Sequence, residues 1–321
     1  MLLTVTALSF IILFAVYAQD CLPAVTLAVT TFLTSVLPAL FPFYAAAGIL
    51  MEGDFCFRVG KKITPVTERL FGIAGEGAPA IVIGLISGYP AGARITSELF
   101  ESGRITEDDA KRLVAFTNNC GPLFLVGTVG TGMLGDGRLG LILWGIHILA
   151  SLLTGILLKR RRRGSGGASA SPLPVRPAKA PEKALPAISN AMTSAMYAML
   201  PIAAAIIFFA AFTAVLKASG IIPAVASLFG ENGEAASGVL TGFLEITNGI
   251  LQLSQCPMPE IIKLPLIAAI AGWAGISVHI QVIGIMSKSG IGCRSYLLGK
   301  LLHAFLAALL TLGFVCFLRS P

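Results

Sequence analysis

The sequence SGYPAG at residues 87–92 and the sequence TNNCGP at residues 117–122 each interrupt an apolar segment with turn-forming residues. The neighbouring stretches, AIVIGLI before the first and LFLVGTVGTGML after the second, are apolar enough to lie within a bilayer. Backbone groups freed at that depth cost several kcal/mol each unless protein or a water-filled cavity satisfies them. The two interruptions therefore indicate a site built inside the membrane.

The composition is that of an integral membrane protein. The 321 residues are 55% hydrophobic and 12% charged, with a mean hydropathy of +0.85, values that exclude an ordinary soluble domain. The net charge is +7, but the basic residues fall in short loops and form no aromatic-interleaved basic face. The six cysteines show neither CxxC pairs nor the Cys/His spacing of a metal site. We therefore expect a lipid bilayer as partner, and neither nucleic acid nor a bound metal.

The first interruption is predicted to form the tip of a re-entrant hairpin. Its apolar arm, residues 78–88, rises only about 16 Å as a helix, roughly half the hydrocarbon thickness. The second arm carries Arg94, Glu98 and Glu101 at spacings that suit a protein-facing or hydrated helix face. The alternative is a soluble loop with a Pro-Gly turn.

The second interruption is predicted to divide a transmembrane helix. Thr106 and the acidic residues after it indicate a helix start, and this helix breaks at residues 118–122 before it resumes. A helix that restarts at Pro122 directs its free N–H groups and its positive dipole end towards the break. Such an end suits a carboxylate or a phosphate-like oxygen.

The chain is predicted to consist of two membrane halves joined by a linker. The first half, residues 1–158, starts with an apolar segment at residues 2–17, which we expect to be a retained span rather than a secretory signal. A segment bent by two prolines follows at residues 22–51, and an amphipathic, interface-lying helix at residues 53–77. Residues 159–186 are first basic and then rich in Gly, Ser, Ala and Pro, a composition typical of a flexible linker.

The second half, residues 187–321, repeats the order of the first. Its apolar segments are interrupted at residues 245–249 and 272–275, and a last span is predicted at residues 295–318. Matching positions keep an offset of 157 or 156 residues in three pairs, Gly92 with Gly249, Gly127 with Gly284, and His147 with His303. The shared order, breaks and offset indicate an internal repeat.

The distribution of positive charge predicts how the halves are oriented. With the basic cluster 159–163 cytoplasmic, and each hairpin entering and leaving by the same side, the chain makes about seven crossings. The N-terminus is then cytoplasmic and the C-terminus outside, and the basic residues are cytoplasmic, Lys300 included, except Arg138, Lys217, Lys263 and Arg319. The predicted fold is an all-α polytopic membrane protein with two inverted repeats, each with a re-entrant helical hairpin and a broken transmembrane helix. Secondary transporters use this arrangement to place one site at the midplane.

Three stretches resemble one family of membrane proteins, the sporulation integral membrane proteins of the YlbJ type. These stretches are FPFYAAAGIL at residues 41–50, the segment at residues 87–130 that contains SGYPAGARI and FTNNCGP, and GFLEITNGI at residues 242–250. The resemblance implies the nucleoside-recognition or Gate-domain superfamily, which is related to concentrative nucleoside transporters. It also implies dipicolinate export during sporulation, in the bacterial inner membrane or the mother-cell-derived spore membrane.

The interruptions supply the residues of a predicted solute site. Neutral amides and hydroxyls beside helix N-termini suit a small polar ring or an organic anion. A carboxylate in an apolar segment is usually functional, so Glu245 could carry a coupling H⁺ or help hold Na⁺; the alternative is a structural bond at the hairpin tip. His279 is a candidate proton relay or substrate donor, or else a satisfied interior histidine, whereas His147 and His303 are expected to be packing residues. The predicted lining is Ser87, Tyr89, Thr117, Asn118, Asn119, Cys120, Glu245, Thr247, Asn248, Ser277, His279 and Gln281.

Three classes of function follow from these features. The paired breaks favour a secondary transporter in which the hairpins and broken helices move as a unit. A passive channel and a non-transporting scaffold needed for spore formation are the alternatives. An enzyme is not expected, because the membrane segments contain no HExxH, GxSxG or paired aspartate motif. Substrate, coupling ion, direction and oligomeric state stay open.

Overall fold

Helices form every regular element of the part of the chain that the structure describes. The computed structural model describes residues 2–52, 55–73, 75–159 and 184–319, and it confirms the predicted all-α class there. Helices α1 to α8 belong to the first half: α1 Leu2–Val16, α2 Ala18–Thr31, α3 Leu37–Glu52, α4 Phe55–Phe71, α5 Ala78–Ile86, α6 Ala91–Glu101, α7 Glu107–Phe116 and α8 Gly137–Leu157. Helices α9 to α15 belong to the second: α9 Ala184–Ala218, α10 Ile221–Ser227, α11 Gly233–Leu244, α12 Ile246–Gln255, α13 Glu260–Trp273, α14 Ile276–Lys288 and α15 Arg294–Arg319.

Four to six segments of the described chain are suited by length and composition to cross a bilayer. Four pass that test alone: Gly137–Leu157, Leu185–Ala218, Glu260–Lys288 and Arg294–Leu318. Two pairs of helices that are bent at a short break would each add one span if the pair is counted as a single span. They are Thr4–Val16 with Ala18–Thr34, bent by 100°, and Lys62–Phe71 with Gly75–Ile86, bent by 94°. The chain is thus an integral membrane protein. The prediction of about seven crossings exceeds this count, and the sidedness of the termini stays a prediction.

Most of the predicted linker lies outside the described residues, as do Arg160 to Arg163 of the basic cluster. Helix α9 already begins at Ala184, so the last three residues of the predicted linker, 184–186, are helical. The predicted amphipathic helix is confirmed as α4, but the side chains of Arg58 and Lys61 are likewise outside the description.

The N-terminal helices form a layer against α9. Helix α1 ends at Val16, the chain bends at Tyr17, and α2 and α3 both pack on α9. The ring of Phe10 contacts Phe208 and Phe212 of α9, with centroids 5.4 and 6.0 Å apart. A π-helical turn, Phe32–Val36, joins α2 to α3 just before Pro38. Such turns accommodate a proline ring that clashes with the preceding turn of a regular helix.

Helices α5 and α6 form the first predicted hairpin. Residues 87–90 make the turn between them, and α6 then lies tightly against the end of α7. A side chain at Gly92 would place its Cβ atom 1.9 Å from the carbonyl oxygen of Thr117. Only glycine allows this approach, so the contact holds the hairpin against the second interruption.

The second interruption is confirmed, and both of its flanking helices start as predicted. The hydroxyl of Thr106 accepts a hydrogen bond from the Asp109 amide (3.1 Å) and caps α7. After α7 ends at Phe116, the chain restarts as a π-helical segment, Leu123–Met133, with Pro122 as its cap residue. Asp136 then caps α8 by accepting from the amides of Arg138 and Leu139.

The two interruptions of the second half are shorter than predicted. Between α11 and α12 only Glu245 is extended, and residues 246–249 are helical. Between α13 and α14 the break is Ala274 and Gly275, both with positive φ, while Gly272 stays helical. Capping by Glu245 explains the first difference, because a helix with satisfied N-terminal amides can begin at the next residue.

The halves have the same order of elements and interlock. Each contains a helical hairpin, a broken helix and a long helix, in that order along the chain. Helix α15 packs against α13 of its own half and against α7 and α8 of the first half. Each of the two buried apolar cores also draws residues from both halves. This order agrees with the predicted repeat, and the inverted orientation of the repeats stays a prediction.

Candidate functional site

The four interruptions meet around one cavity, which we name the central cavity. It encloses about 130 Å³. Every interruption contributes to its wall, either from the break itself or from the first turns of the helix that follows. These contributions are residues 87–89, residues 120–122, residues 245–247, and Ser277, Val278 and Gln281.

A second cavity of about 700 Å³, the outer cavity, adjoins the first. The two share seven lining residues: Thr31, Val36, Leu123, Thr128, Ile206, Glu245 and Thr247. Because Glu245 and Thr247 line both cavities, the break between α11 and α12 forms part of the boundary between them.

Eight of the twelve predicted site residues line a cavity. Seven line the central cavity, namely Ser87, Tyr89, Cys120, Glu245, Thr247, Ser277 and Gln281. Asn248 lines the outer cavity. The remaining four, Thr117, Asn118, Asn119 and His279, line neither of them.

Thr117, Asn118 and Asn119 stabilise the backbone at the end of α7. The Asn118 side chain accepts from the Ala93 amide (2.8 Å) and donates to the Val114 carbonyl (3.1 Å). Asn119 donates to the carbonyls of Phe116 (2.9 Å) and Gly84 (3.3 Å), and the Thr117 hydroxyl donates within α7. These bonds to backbone engage the polar atoms of all three side chains except Oδ1 of Asn119, which is buried without a partner in the described structure. The three residues therefore shape the break and line neither cavity.

His279 is also turned away from the cavities. Its Nδ1 lies 2.8 Å from the hydroxyl of Tyr296, and the ring of Trp273 meets it edge-on at a centroid distance of 4.2 Å. Nε2 of His279 is buried without a hydrogen-bond partner in the described structure, so the ring is packed but not fully satisfied, and its role as relay, donor or interior histidine stays a prediction.

Glu245 combines a structural bond with a position on the cavity wall. Its two carboxylate oxygens accept from the amides of Thr247 (2.9 Å) and Asn248 (2.8 Å), and so cap α12. The residue is 2% exposed. Each oxygen has a further lone pair, since a carboxylate offers about four acceptor positions. Among the described residues that line the two cavities, Glu245 contributes the only carboxylate, and none is Lys or Arg.

Lys300 was not predicted as a site residue but was counted with the basic residues of the cytoplasmic segments, whose sidedness stays a prediction. It is 1% exposed, in the interior of α15. Its Nζ lies 3.0 Å from the Tyr89 hydroxyl, 3.0 Å from the Asn118 carbonyl oxygen and 3.4 Å from Nδ1 of His303. The sequence signal that was available is a lysine three residues before a histidine in an apolar helix, a spacing that puts both on one face.

His147 and His303 do pack, but they also form hydrogen bonds beside the site. Their ring centroids are 4.3 Å apart. Nε2 of His303 lies 3.0 Å from the His147 carbonyl oxygen and must donate to it, so Nδ1 is the acceptor that faces Lys300. Nε2 of His147 accepts from the Cys120 amide (3.0 Å). The expectation that both are only packing residues was too narrow.

Tyr89 connects the central cavity to these buried groups. Its hydroxyl donates to the Ala271 carbonyl (2.9 Å) and accepts from Lys300. The ammonium also lies 4.8 Å from the centroid of the Tyr89 ring, within the range of a cation–π contact. We name Tyr89, Lys300, His303 and His147 the buried polar cluster.

The chain has a sequence relative that accounts for its resemblances. It is 27% identical over 307 residues to the sporulation integral membrane protein YlbJ of Bacillus subtilis (strain 168), in an alignment that covers 89% of this chain and 74% of YlbJ. The chain is a homologue of YlbJ. No protein-family model matches it, and no solved structure does. The resemblance to YlbJ is thereby confirmed, whereas the Gate-domain superfamily stays a prediction.

The wall of the central cavity in this YlbJ homologue suits an amphipathic solute. Ile86, Phe124, Ile202 and Ile206 give it apolar surface, and the residues of the four breaks add hydroxyl and amide groups. One carboxylate, Glu245, lies on the wall, and one amine, Lys300, contacts the wall residue Tyr89. A flat ring with polar substituents would find partners for both its faces and its edge.

Proposed function

We propose that this YlbJ homologue is a secondary transporter for a small organic anion or a nucleoside-like solute, with dipicolinate export during sporulation as its role. The observation that carries the proposal is the meeting of four helix interruptions at one cavity. Interrupted helices are tolerated in a membrane where they surround a cavity, and they are the usual substrate sites of transporters. Homology to a sporulation integral membrane protein supports the biological setting.

The ends of the interrupted helices favour a solute with an anionic group. The central cavity is bordered by the first residues of the π-helical segment, of α12 and of α14, through Leu123, Ile246 and Ser277. The positive ends of helix dipoles and their unpaired amides attract carboxylate oxygens. At α12 this position is already taken by Glu245, which leaves the other two ends for a solute.

Glu245 is the residue that we propose for cation coupling at the wall. Its remaining lone pairs and the oxygens of Thr247, Ser277 and Gln281, which line the same cavity, would suit either H⁺ or Na⁺. A cation bound at Glu245 would neutralise its charge and remove the repulsion of an anionic solute.

Transport would proceed by movement of the hairpins and broken helices as one unit. On this proposal α5 with α6 and α11 with α12 are the two re-entrant hairpins of inverted repeats. Moving them with the broken helices would expose the central cavity alternately to each side of the membrane.

The test is flux into liposomes that contain the purified protein. We expect saturable uptake of labelled dipicolinate or of a nucleoside that depends on a pH or Na⁺ gradient. Flux without a gradient and without saturation would instead identify a channel. Absence of flux of both solutes under every gradient, together with normal sporulation of a strain that carries Glu245→Gln, would favour a scaffold.

A further inference from the structure

The buried polar cluster contains an amine whose bonding partners are all uncharged. Lys300 Nζ is surrounded by the Tyr89 hydroxyl, the Asn118 carbonyl oxygen and the unprotonated Nδ1 of His303, at 3.0, 3.0 and 3.4 Å. The Tyr89 hydroxyl donates its hydrogen to the Ala271 carbonyl oxygen, and Nε2 of His303 donates its hydrogen to the His147 carbonyl oxygen. Both groups therefore accept from Lys300.

The number of acceptors corresponds to the protonated amine. An ammonium has three N–H donors and no acceptor position, and three acceptors face Lys300 here. A neutral amine has two donors, so one of the three buried acceptors would lose its partner. The arrangement therefore offers a partner for the third N–H that a proton would add to the amine, without movement of the surrounding groups.

Among the described residues, no carboxylate forms an ion pair with the ammonium form of Lys300. The ion pairs found among the described residues are Arg94 with Glu98, Lys111 with Glu107, and Arg112 with Asp109. None of them includes Lys300. A buried charge without a counter-charge is costly in a membrane and is rarely kept there without a function. Tyr89, whose hydroxyl and ring both contact the Lys300 amine, also lines the central cavity, so an anion bound there would supply the missing negative charge one side chain away.

We propose that Lys300 binds the proton that accompanies an anionic solute into the central cavity. This inference rests on the proposed function: it assigns the coupled proton to Lys300 and an anionic charge to the solute, and it leaves Glu245 to bind Na⁺. As the anion enters, a proton adds to the lone pair of the Lys300 amine. As the anion leaves, the same N–H bond breaks and the proton departs. Tyr89 acts as the positioning residue between the two charges.

The other titratable groups around Lys300 are less suited to this role. They are Tyr89, Cys120, His147, His279, Tyr296 and His303. Both ring nitrogens of His303 are already engaged, and a proton on its Nδ1 would face the ammonium 3.4 Å away. His147 accepts from the Cys120 amide, and His279 is bonded to Tyr296. Protonation of His147 Nε2 would break its bond to the Cys120 amide, and His279 does not line the central cavity that the anion enters.

The test is calorimetric titration of the purified protein with dipicolinate at pH 8, in two buffers that differ in ionisation enthalpy. The difference between the measured heats gives the number of protons taken up per bound anion. We expect uptake close to one proton in the wild type and none with uridine, which is neutral. No uptake with dipicolinate would overturn the inference without any variant.

Three variants assign the proton to its residue. Lys300→Arg keeps a permanent charge and is expected to bind dipicolinate with no proton uptake, whereas Lys300→Met is expected to weaken binding at least tenfold. Lys288→Met, at an exposed position of α14, is the matched control and is expected to behave like the wild type. Thermal unfolding of each variant beforehand identifies those that fold.

The outcomes separate this inference from the proposed function. If Lys300→Arg takes up as many protons as the wild type, another residue binds the proton and only the inference falls. If the wild type binds neither dipicolinate nor uridine and transports neither, the proposed function and the inference fall together.

Discussion

The hydroxyl of Tyr89 donates a hydrogen bond of 2.9 Å to the carbonyl oxygen of Ala271, 182 residues further along the chain. This bond joins the turn of the first hairpin to α13, just before the break of the second broken helix. The hydroxyl oxygen of Tyr89 also accepts a hydrogen bond from Lys300 of α15. One phenol therefore ties together three elements of the two halves beside the central cavity.

Tyr89→Phe is expected to destabilise the protein while it keeps the aromatic wall. The change leaves the Ala271 carbonyl and one N–H of Lys300 without this partner, at a cost of roughly 1–3 kcal/mol. Thermal unfolding in detergent measures the loss. Tyr197→Phe, at a position that is 69% exposed in α9, is the control and should leave the unfolding temperature unchanged. Equal unfolding temperatures for Tyr89→Phe and wild type would contradict the assigned bonds.

Glu245→Ala is expected to destabilise α12 through the loss of its cap. The alanine leaves the amides of Thr247 and Asn248 without their acceptors, which costs roughly 0.5–2 kcal/mol. Hydrogen exchange of the first turn of α12 should accelerate together with the drop in unfolding temperature. Glu231→Ala, at an exposed position before α11, should change neither quantity. If exchange in α12 is unaffected, the carboxylate is not the cap.

The matching glycines 157 residues apart are expected to behave as pairs. A Cβ atom at Gly92 would lie 1.9 Å from the Thr117 carbonyl oxygen, and one at Gly249 would lie 2.1 Å from the Cα atom of Gly242. Alanine at either position forces backbones apart and should cost roughly 1–3 kcal/mol or more. In the second pair, Gly127 and Gly284, nothing lies within 4 Å of the added atom.

Comparison of single alanine variants at the four positions tests this expectation. Yield of monodisperse protein and unfolding temperature should fall for Gly92→Ala and Gly249→Ala. For Gly284→Ala, inside a regular helix, stability should be unchanged or higher by up to about 1 kcal/mol. If Gly284→Ala lost as much stability as Gly92→Ala, close backbone contact would not be the reason why Gly92 and Gly249 must be glycine.

The places where helices stop were predictable, because they depend on local chemistry. Turn residues at 87–92 and 117–122 cannot continue an apolar helix, and Thr106 and Pro122 mark helix starts by their own bonding properties. The length of the third break was not predictable from residue type alone. Thr247 and Gly249 are poor helix formers, yet they are helical because the Glu245 carboxylate caps the helix start by accepting from the amides of Thr247 and Asn248.

The direction of side chains at the breaks depended on tertiary packing, which the pattern does not contain. Asn118 and Asn119 have the polarity of site residues, but α5 and α6 pack so close that their backbone binds Oδ1 of Asn118 and Nδ2 of Asn119. Lys300 lies six residues after the start of α15, where a charged residue commonly reaches the membrane surface. Its burial follows from the packing of α15 on α7 and α13, a contact between distant parts of the chain.

Asn118→Ala and Gln281→Ala are expected to separate residues that build the break from residues that face the solute. The Asn118 change leaves the buried Ala93 amide without its acceptor and should lower stability by roughly 1–3 kcal/mol. Because Asn118 does not line either cavity, the folded protein should retain its affinity for dipicolinate. Gln281 lines the central cavity and bonds only within α14 among its described contacts, so its removal should spare stability and weaken binding.

The measurement is the rise in unfolding temperature on addition of dipicolinate, taken for each variant relative to its own ligand-free value. Asn118→Ala should start lower and rise by as much as the wild type, whereas Gln281→Ala should start near the wild type and rise less. The reverse result would be full stabilisation by dipicolinate in Gln281→Ala and none in Asn118→Ala. It would show that the solute binds at the end of α7, beside Asn118, and not in the central cavity.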